Sequence, residues 1–590
     1  MTPPPMARVR KTASRDATPA PRDRNRPPDP RRAGRTRLAG RHAALARWPY
    51  GKLARQAEAG LPCRPPHGPT RRHWPRPSGP RAAALRSNRS VRRPCKPERA
   101  LRRAGAPATE VVPLILMQAS DPASGYLSDV TFPDRFHREL SPSWLNYVSV
   151  LGGARPKALD RPFRYLDLGC GFAHSTVINA AAFAHAEFHA CDFNPAHIEA
   201  AERRATRLGA GNVVFHEASF DALLDRDLPP FDFIVMHGVY SWVGSDVRHA
   251  IRQLLSRRLA DGGLVYLSYN CQPGWSAEAP LRKLMVELAQ AAQGGTEART
   301  GSAVAAMRQL GTPSLRYFRD NPAAAGALAA LADAPLDYVA HEFMNATWKV
   351  HYSVDVGDEM AEAGLAYVGS ATLADNHPML LIDRQAADAI AALPNARLRR
   401  LAEDFAVNRR FRRDVFLRGA GERVAPAEAI RHLDEIAIGC TTDVERIDTR
   451  MTIPRGAISF QPDFIADLRA LMGRGAMRIG EIVARLGGER RNPREIRQNL
   501  LFLVASGALT PFAQPGGYTE TGSRRAASPA AAAALAAGAR EAAPTFAPCE
   551  PLGGGIAVSA DEAAKALRWI AGDAAPRPDR LARVGVLRGA

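Results

Sequence analysis

The sequence predicts an α/β protein centred on a doubly wound parallel sheet. Three observations carry this expectation. From residue 163 onward, apolar runs of strand length alternate with amphipathic helical stretches. A glycine-rich turn, Gly169-Cys170-Gly171, joins the first run to the first helix. An acid, Asp192, ends the second run 21 residues after Gly171. Right-handed crossovers in such a sheet place ligands at the carboxyl ends of its strands.

The elements follow in order. Residues 1–116 hold 28 Lys and Arg against 6 Asp and Glu, with 20 of the 47 prolines, and show no apolar period. Such a segment cannot bury enough surface to offset its ordering entropy, so it reads as a disordered tail. Its Arg-rich, Lys-poor composition is also what translated GC-rich upstream DNA gives, which makes a misassigned start near Met117 the favoured expectation. Residues 132–153 carry aromatic and aliphatic residues at helical spacing, with Ser141-Pro142 as N-cap and first turn. Strands are then expected at FRYLDLG, AEFHACD, NVVFHEA, FDFIVMHG and GLVYLSYN, with helices between them. An Ala-rich helical insertion follows at 282–335. DYVAHEFM (337–344) reads as a strand, 355–364 as a helix and LAYVGSATL (365–373) as a strand. These bounds give a domain over 117–375. Residues 376–450 read as a helical, basic regulatory region and 451–520 as a winged-helix-like unit of three short helices. The rest, 521–590, reads as linker and tail, with a helix near 561–571.

Composition excludes several functions. The net charge of +21 sits entirely in the first 116 residues, which leaves 52 basic and 53 acidic residues beyond them. A basic nucleic-acid-binding body is therefore not implied, although the tail itself is suited to nucleic acid or anionic lipid. No apolar stretch is long enough for a membrane helix. The seven cysteines are scattered, without CxxC spacing, so neither a disulfide framework nor a metal site is expected, and a cytoplasmic setting fits.

The chemistry concentrates in Tyr165-Leu-Asp-Leu-Gly-Cys-Gly-Phe-Ala173. Gly169 and Gly171 allow a tight turn and close backbone approach. Asp167, two residues ahead, would repel a phosphate but suits an ammonium group. Asp192 is placed to accept from ribose hydroxyls. An acid-Gly-x-Gly loop with a second acid after strand two resembles the class I S-adenosylmethionine-dependent methyltransferases, whose sheet is Rossmann-like. RELSPSWLNYV, DFNPAHI, FDFIVMHGVYSWV, YNCQPGW, HEFMNATW, VGSATLADN and NRRFRRDVFLRG extend the likeness over about 120–515. Together they resemble bacterial methyltransferases with a methyltransferase regulatory domain, a family similar to the protein-lysine methyltransferases acting on outer-membrane proteins.

The resemblance implies S-adenosyl-L-methionine as cofactor. It places Asp167, Gly169 and Gly171 around the cofactor's amino-acid part, Asp192 on the ribose, Phe193 on the adenine face, and Ser219 and Phe220 at the adenine edge. Phe220 fits a core position equally well. Ala173 departs from the third glycine that many such enzymes carry. Because an attacking amine must be uncharged, acceptor groups at the strand ends are candidates for the catalytic site: His237, Tyr240, Tyr269 and Asn270. His237 taken alone also reads as a satisfied structural histidine, and the aromatics as packing under the insertion. His341-Glu342-Phe-Met-Asn345 is not a zinc-binding HExxH, and no phosphate-binding P-loop occurs. YNCQPGW lacks the Pro-Pro-aromatic motif of nucleobase-amine methylases. A protein substrate is the favoured partner. RNA or small-molecule methylation, a non-catalytic cofactor-binding regulator, and a homo-oligomer remain open from sequence.

Overall fold

Alternating side chains, one face apolar toward each side, build seven strands into a single sheet. The computed structural model describes residues 135–311, 315–419, 423–454, 456–489, 491–517, 522–541 and 543–589. The expectations for the amino-terminal tail and for a start near Met117 lie outside the described residues. The chain runs α1 (Pro142–Leu151), β1 (Arg164–Leu168), α2 (His174–Ala182), β2 (Glu187–Asp192), α3 (Pro195–Leu208), β3 (Val213–Glu217), α4 (Phe220–Leu224), β4 (Phe231–Met236), α5 (Ser245–Arg258) and β5 (Leu259–Asn270). Helices α6 (Ala279–Ala291), α7 (Thr296–Leu310), α8 (Arg316–Asp320), α9 (Pro322–Ala332) and α10 (Leu336–Phe343) follow. Next come α11 (Ser353–Glu362), β6 (Leu365–Ser370), α12 (Pro378–Leu381), α13 (Arg384–Ala391), α14 (Ala396–Ala406) and β7 (Phe411–Arg418).

The strand order is β3-β2-β1-β4-β5-β7-β6. β1 to β5 are parallel, while β7 runs antiparallel to both β5 and β6. The sheet is therefore mixed rather than wholly parallel. Period-two alternation separates its two faces. Tyr165, Phe233, Val235, Leu264, Tyr266, Val415 and Leu417 pack with α1, α2 and α3. Leu166, Leu168, Ile234, Met236, Val265, Leu267, Tyr269 and Phe416 pack with α4, α5 and α11. Helices α6 to α10 have their own core around Trp275, Met285, Met307 and Phe343.

Two expectations are corrected here. DYVAHEFM is helical: Val339 and Phe343, four apart, are both buried against the insertion core, which is a helix period. The insertion thus extends through α10. The basic stretch 408–419, expected to be helical, holds β7, and its strand ladder with β5 pairs Asn270 with Phe411 through to Leu264 with Leu417. The sheet therefore continues well past residue 375.

Beyond β7 lie α15 (Pro426–Glu435), β8 (Ala437–Gly439), a hairpin of β9 (Arg450–Ile453) and β10 (Gly456–Ser459), α16 (Pro462–Met472), β11 (Met477–Arg478), α17 (Ile479–Leu486), α18 (Pro493–Ala505) and β12 (Thr510–Phe512). Helices α16, α17 and α18 match the three expected. The small antiparallel sheet beside them, β11-β8-β12, takes its central strand from upstream of 451.

The stretch expected as linker is folded. It contains β13 (Arg525–Ala526), α19 (Pro529–Gly538), β14 (Thr545–Cys549) and β15 (Gly554–Val558), followed by α20 (Ala560–Ile570), α21 (Asp579–Arg583) and β16 (Leu587–Arg588). Alanine is the best helix former, and Ala530, Ala531 and Ala534 are small enough to bury α19 closely on α3 and β14. The hairpin β14–β15 lies on α2. Among the described residues no helix is long and apolar enough to cross a membrane.

Candidate functional site

The turn between β1 and α2 is held by the end of β2. Gly169 and Cys170 N–H both donate to the Cys191 carbonyl, at 2.8 and 3.0 Å, and Gly171 N–H donates to Asp192 Oδ2 at 2.9 Å. Both glycines have positive φ, +74° and +53°. Their reasons differ. A Cβ on Gly169 would lie 2.5 Å from Val239 Cγ2 and 3.8 Å from Phe220 Cζ, so packing forbids it. A Cβ on Gly171 would meet nothing within 4 Å, so this residue faces open space where a ligand can approach the backbone. Ala173 takes the left-handed conformation too, at φ +50°, and is buried at the start of α2. A glycine would sit there without the ~1–2 kcal/mol that Cβ costs in this region.

Asp167 is buried on β1 and accepts from Thr176 Oγ1 at 2.5 Å. Burial drives its carboxyl up to about 7, Thr176 opposes that rise, and the nearby Asp192 adds to it. Asp192 is buried as well. Its Oδ1 accepts from Asn194 N–H at 3.0 Å and lies 3.2 Å from His197 Nδ1. With Gly171 on Oδ2, three donors occupy a carboxylate that has about four acceptor positions. Phe193 follows directly and is 48% exposed, an unusual setting for a large ring. Ser219 caps α4, accepting from Ala222 N–H at 3.3 Å, and the half-buried Phe220 lies beside Gly169. The fold thus gathers Asp167, Gly169, Gly171, Asp192 and Phe193 on one edge, with Phe220 alongside.

The raised carboxyl of Asp167 has a signed consequence. Its protonated form is favoured by the folded protein, so its contribution to stability is complete below about pH 4 and is lost as pH rises through about 7. A cationic amine beside Asp167 would favour the ionised form instead. Binding of S-adenosylhomocysteine is expected to release a proton below pH 7 and to tighten between about pH 5.5 and 7.5. Calorimetry in buffers of different ionisation enthalpy checks this. Asp167→Asn should remove both effects, and pH-independent binding without proton release would place the amine elsewhere.

Of the four candidates for the acceptor side, the structure moves two away. Tyr240 is fully buried and its hydroxyl donates to the Glu359 carboxylate. Tyr269 is 1% exposed and donates to Asp414 Oδ2 at 2.6 Å. Both rings belong to the core on the α4–α5–α11 side. Asn270 is also buried; its backbone N–H donates to Ser241 Oγ at 2.9 Å, while its Nδ2 has no partner among the described residues. His237, just past β4, is half-buried at the sheet edge. Its Nδ1 lies 2.8 Å from the Tyr266 hydroxyl, and its ring packs on that of His137, tilted by 32° with centroids 4.0 Å apart.

His137 precedes α1, and its N–H donates to Ser175 Oγ in α2 at 2.8 Å. Phe411 and Arg413, from the start of β7, complete the group. The Phe411 ring centroid is 6.3 Å from that of His237, and the Arg413 guanidinium lies over Phe411 at 5.1 Å. Burial pushes the His237 imidazole well below its ordinary range, and His137 and Arg413 push the same way. Burial also lowers His137. Both rings are therefore neutral at pH 7. The sequence did not point to His137, Tyr266, Phe411 or Arg413. A strand reading of 411–418 would have exposed the last two, since Phe411 and Arg413 share a face of the ladder with Tyr266.

Comparisons with known proteins agree with this architecture. A family model described as a methyltransferase domain matches residues 166–265. A second, described as a predicted methyltransferase regulatory domain, matches 335–418, the span from α10 through β7. The uncharacterized protein sll1526 of Synechocystis sp. is 32% identical over 358 residues, covering 61% of this chain and 71% of that protein. The structure of PKMT2 from Rickettsia typhi has a TM-score of 0.57 at 18% identity, over 73% of this chain and 87% of that one. The same protein in complex with AdoHcy gives 0.58 at 18%, over 76% and 90%.

Proposed function

Because the chain belongs to the class I S-adenosylmethionine-dependent methyltransferases that carry a regulatory domain, we propose that it methylates lysine side chains of a protein. One observation supports the placement of the chemistry more than any other. The open space before Gly171 and the His137–His237–Phe411–Arg413 group lie along the same carboxyl edge of a sheet in the order 3-2-1-4-5-7-6.

The residues fit the cofactor. Asp167 would take its ammonium, Asp192 its ribose, Phe193 its adenine face, and Ser219 with Phe220 its adenine edge. When bound, the cofactor supplies a methyl group on a sulfonium carrying its own positive charge. The chain has to align the acceptor, keep it uncharged and exclude water. The neutral imidazoles of His137 and His237 form a polar wall without charge. Arg413 opposes a second cation there, which favours entry of a lysine as its free amine. Phe411 supplies an apolar surface for the alkyl chain. Asn270, with its unpartnered Nδ2, stands at the end of the neighbouring strand.

The lysine acceptor is supported by the family likeness of the sequence and by the PKMT2 fold. Incubating the purified protein with methyl-labelled cofactor and fractionated lysate tests it. Label in protein that appears as methyl-lysine after acid hydrolysis is expected. Label confined to RNA or small molecules would replace the acceptor class, and no S-adenosylhomocysteine with any fraction would contradict turnover.

A further inference from the structure

The carboxyl-terminal hairpin reaches the edge that carries the site. Its backbone lies directly on α2: a Cβ on Gly555 would fall 2.7 Å from Ile178 Cγ2 and 3.2 Å from Phe136 Cε2. Ser143 Oγ, on α1, donates to the Leu552 carbonyl at 3.0 Å in the turn of the hairpin. The hairpin is therefore fixed against α2, which follows the cofactor loop, and against α1. Near the start of β14, the half-buried ring of Phe546 packs on Phe136, with centroids 4.9 Å apart. It also meets His174 edge-on at 5.8 Å. His174 opens α2 immediately after the glycine-rich turn, and Phe136 directly precedes His137.

We propose that Phe546 is a specificity-determining residue for methyl transfer, a wall supplied by the carboxyl-terminal lobe between the cofactor loop and the acceptor group. The inference rests on the acceptor placement proposed above. Phe546 packs on Phe136, and His137, the next residue in the chain, packs on His237, so two ring pairs lie along the edge. A wall of rings admits a slender, unbranched alkylamine and excludes wider side chains or a crowded backbone. Shape selection of this kind by an apolar surface is worth roughly 10- to 200-fold between acceptors. The hairpin lies outside both family-matched spans, so the same catalytic core can be given a different acceptor range by a different lobe.

The test uses the full chain with methyl-labelled S-adenosylmethionine and fractionated lysate, comparing wild type with Phe546→Ala and Phe546→Leu. Tm and calorimetric affinity for S-adenosylhomocysteine are measured alongside. Phe546→Ala is expected to keep that affinity within about threefold and to label proteins that wild type leaves unlabelled, with relative rates among acceptors shifted roughly tenfold or more. Phe546→Leu keeps an apolar side chain on Phe136 and carries the test if the alanine variant does not fold. Its labelling should be altered in the same direction but less. If wild type transfers label and the folded variants reproduce its pattern and rates, Phe546 only packs and the proposal is overturned, with the methyltransferase reading intact. If wild type labels nothing, the proposal falls together with that reading.

Discussion

Gly171→Val should abolish cofactor binding while leaving the protein folded. At φ +53° a β-branched residue is strained, and the left-handed region costs about 1–2 kcal/mol. The new side chain meets no protein atom near its Cβ, so the strain is the main penalty to the fold. The same open space is where the ligand must come. Filling it with two methyl groups should weaken S-adenosylhomocysteine binding by more than about 3 kcal/mol, over 100-fold. Gly169→Ala is the contrasting variant. Its Cβ would sit 2.5 Å from Val239 Cγ2, so overpacking adds about 1–3 kcal/mol to the strain and the loss appears first in stability. Thermal melts paired with calorimetry separate the two. Unchanged affinity in folded Gly171→Val would remove the cofactor from this loop.

Arg412→Ala should be the most destabilising single change on the regulatory side. Arg412 is almost wholly buried and joins Asp404 of α14 to Asp414 of β7, with Nε 2.9 Å from Asp414 Oδ1. Asp404 also accepts from Ser353 Oγ of α11 at 2.5 Å, and Asp414 from the Tyr269 hydroxyl. Removing the guanidinium leaves Asp414 with the Tyr269 hydroxyl alone, and Asp404 with the Ser353 hydroxyl and the Arg409 guanidinium at 3.6 Å, both in a dry interior. Breaking a buried pair in this way costs about 3–5 kcal/mol. Urea unfolding measures it. A loss under about 1 kcal/mol would mean that water or a rearranged side chain replaces Arg412. Because Phe411 and Arg413 flank it on the same strand, turnover should fall alongside stability.

How much of this was legible in the sequence depended on the kind of signal. β1 to β5 were readable because long apolar runs buried on both faces are distinctive, and the Gly-x-Gly turn announced itself between strand and helix. DYVAHEFM was ambiguous because its eight residues satisfy a strand pattern and a helix pattern about equally well. β7 was hidden by its charges. Arg412 and Asp414 read as a solvated face, and only the fold shows that their partners are Asp404 on the preceding helix and Tyr269 on the distant β5. Residues 521–560 carry few large apolar groups among many alanines and glycines, yet alanines and glycines bury well where backbones approach closely.

Two of the four acceptor-side candidates, Tyr240 and Tyr269, are turned into the core for a geometric reason. Tyr269 lies at the end of the expected strand, but alternation turns it to the face opposite Tyr266, toward Asp414. Proximity to a strand end is visible in sequence; the side chosen is not. His137 belongs to a segment ahead of α1, and Phe411 and Arg413 to a strand that was read as helix. Nothing local marked them as neighbours of His237.

Single-turnover methyl transfer at saturating cofactor, compared across His237→Asn, Phe411→Ala, Tyr240→Phe and Tyr269→Phe, decides which face of the sheet holds the acceptor. Cofactor affinity is measured in each. His237→Asn and Phe411→Ala are expected to slow transfer roughly 10- to 100-fold, about 1.4–2.8 kcal/mol, with cofactor affinity level. Tyr240→Phe and Tyr269→Phe should transfer near the wild-type rate. Tyr269→Phe should lose about 1–3 kcal/mol of stability, because Asp414 loses a buried donor. Normal rates in the first pair with slow transfer in the folded tyrosine variants would return the acceptor to the opposite face of the sheet.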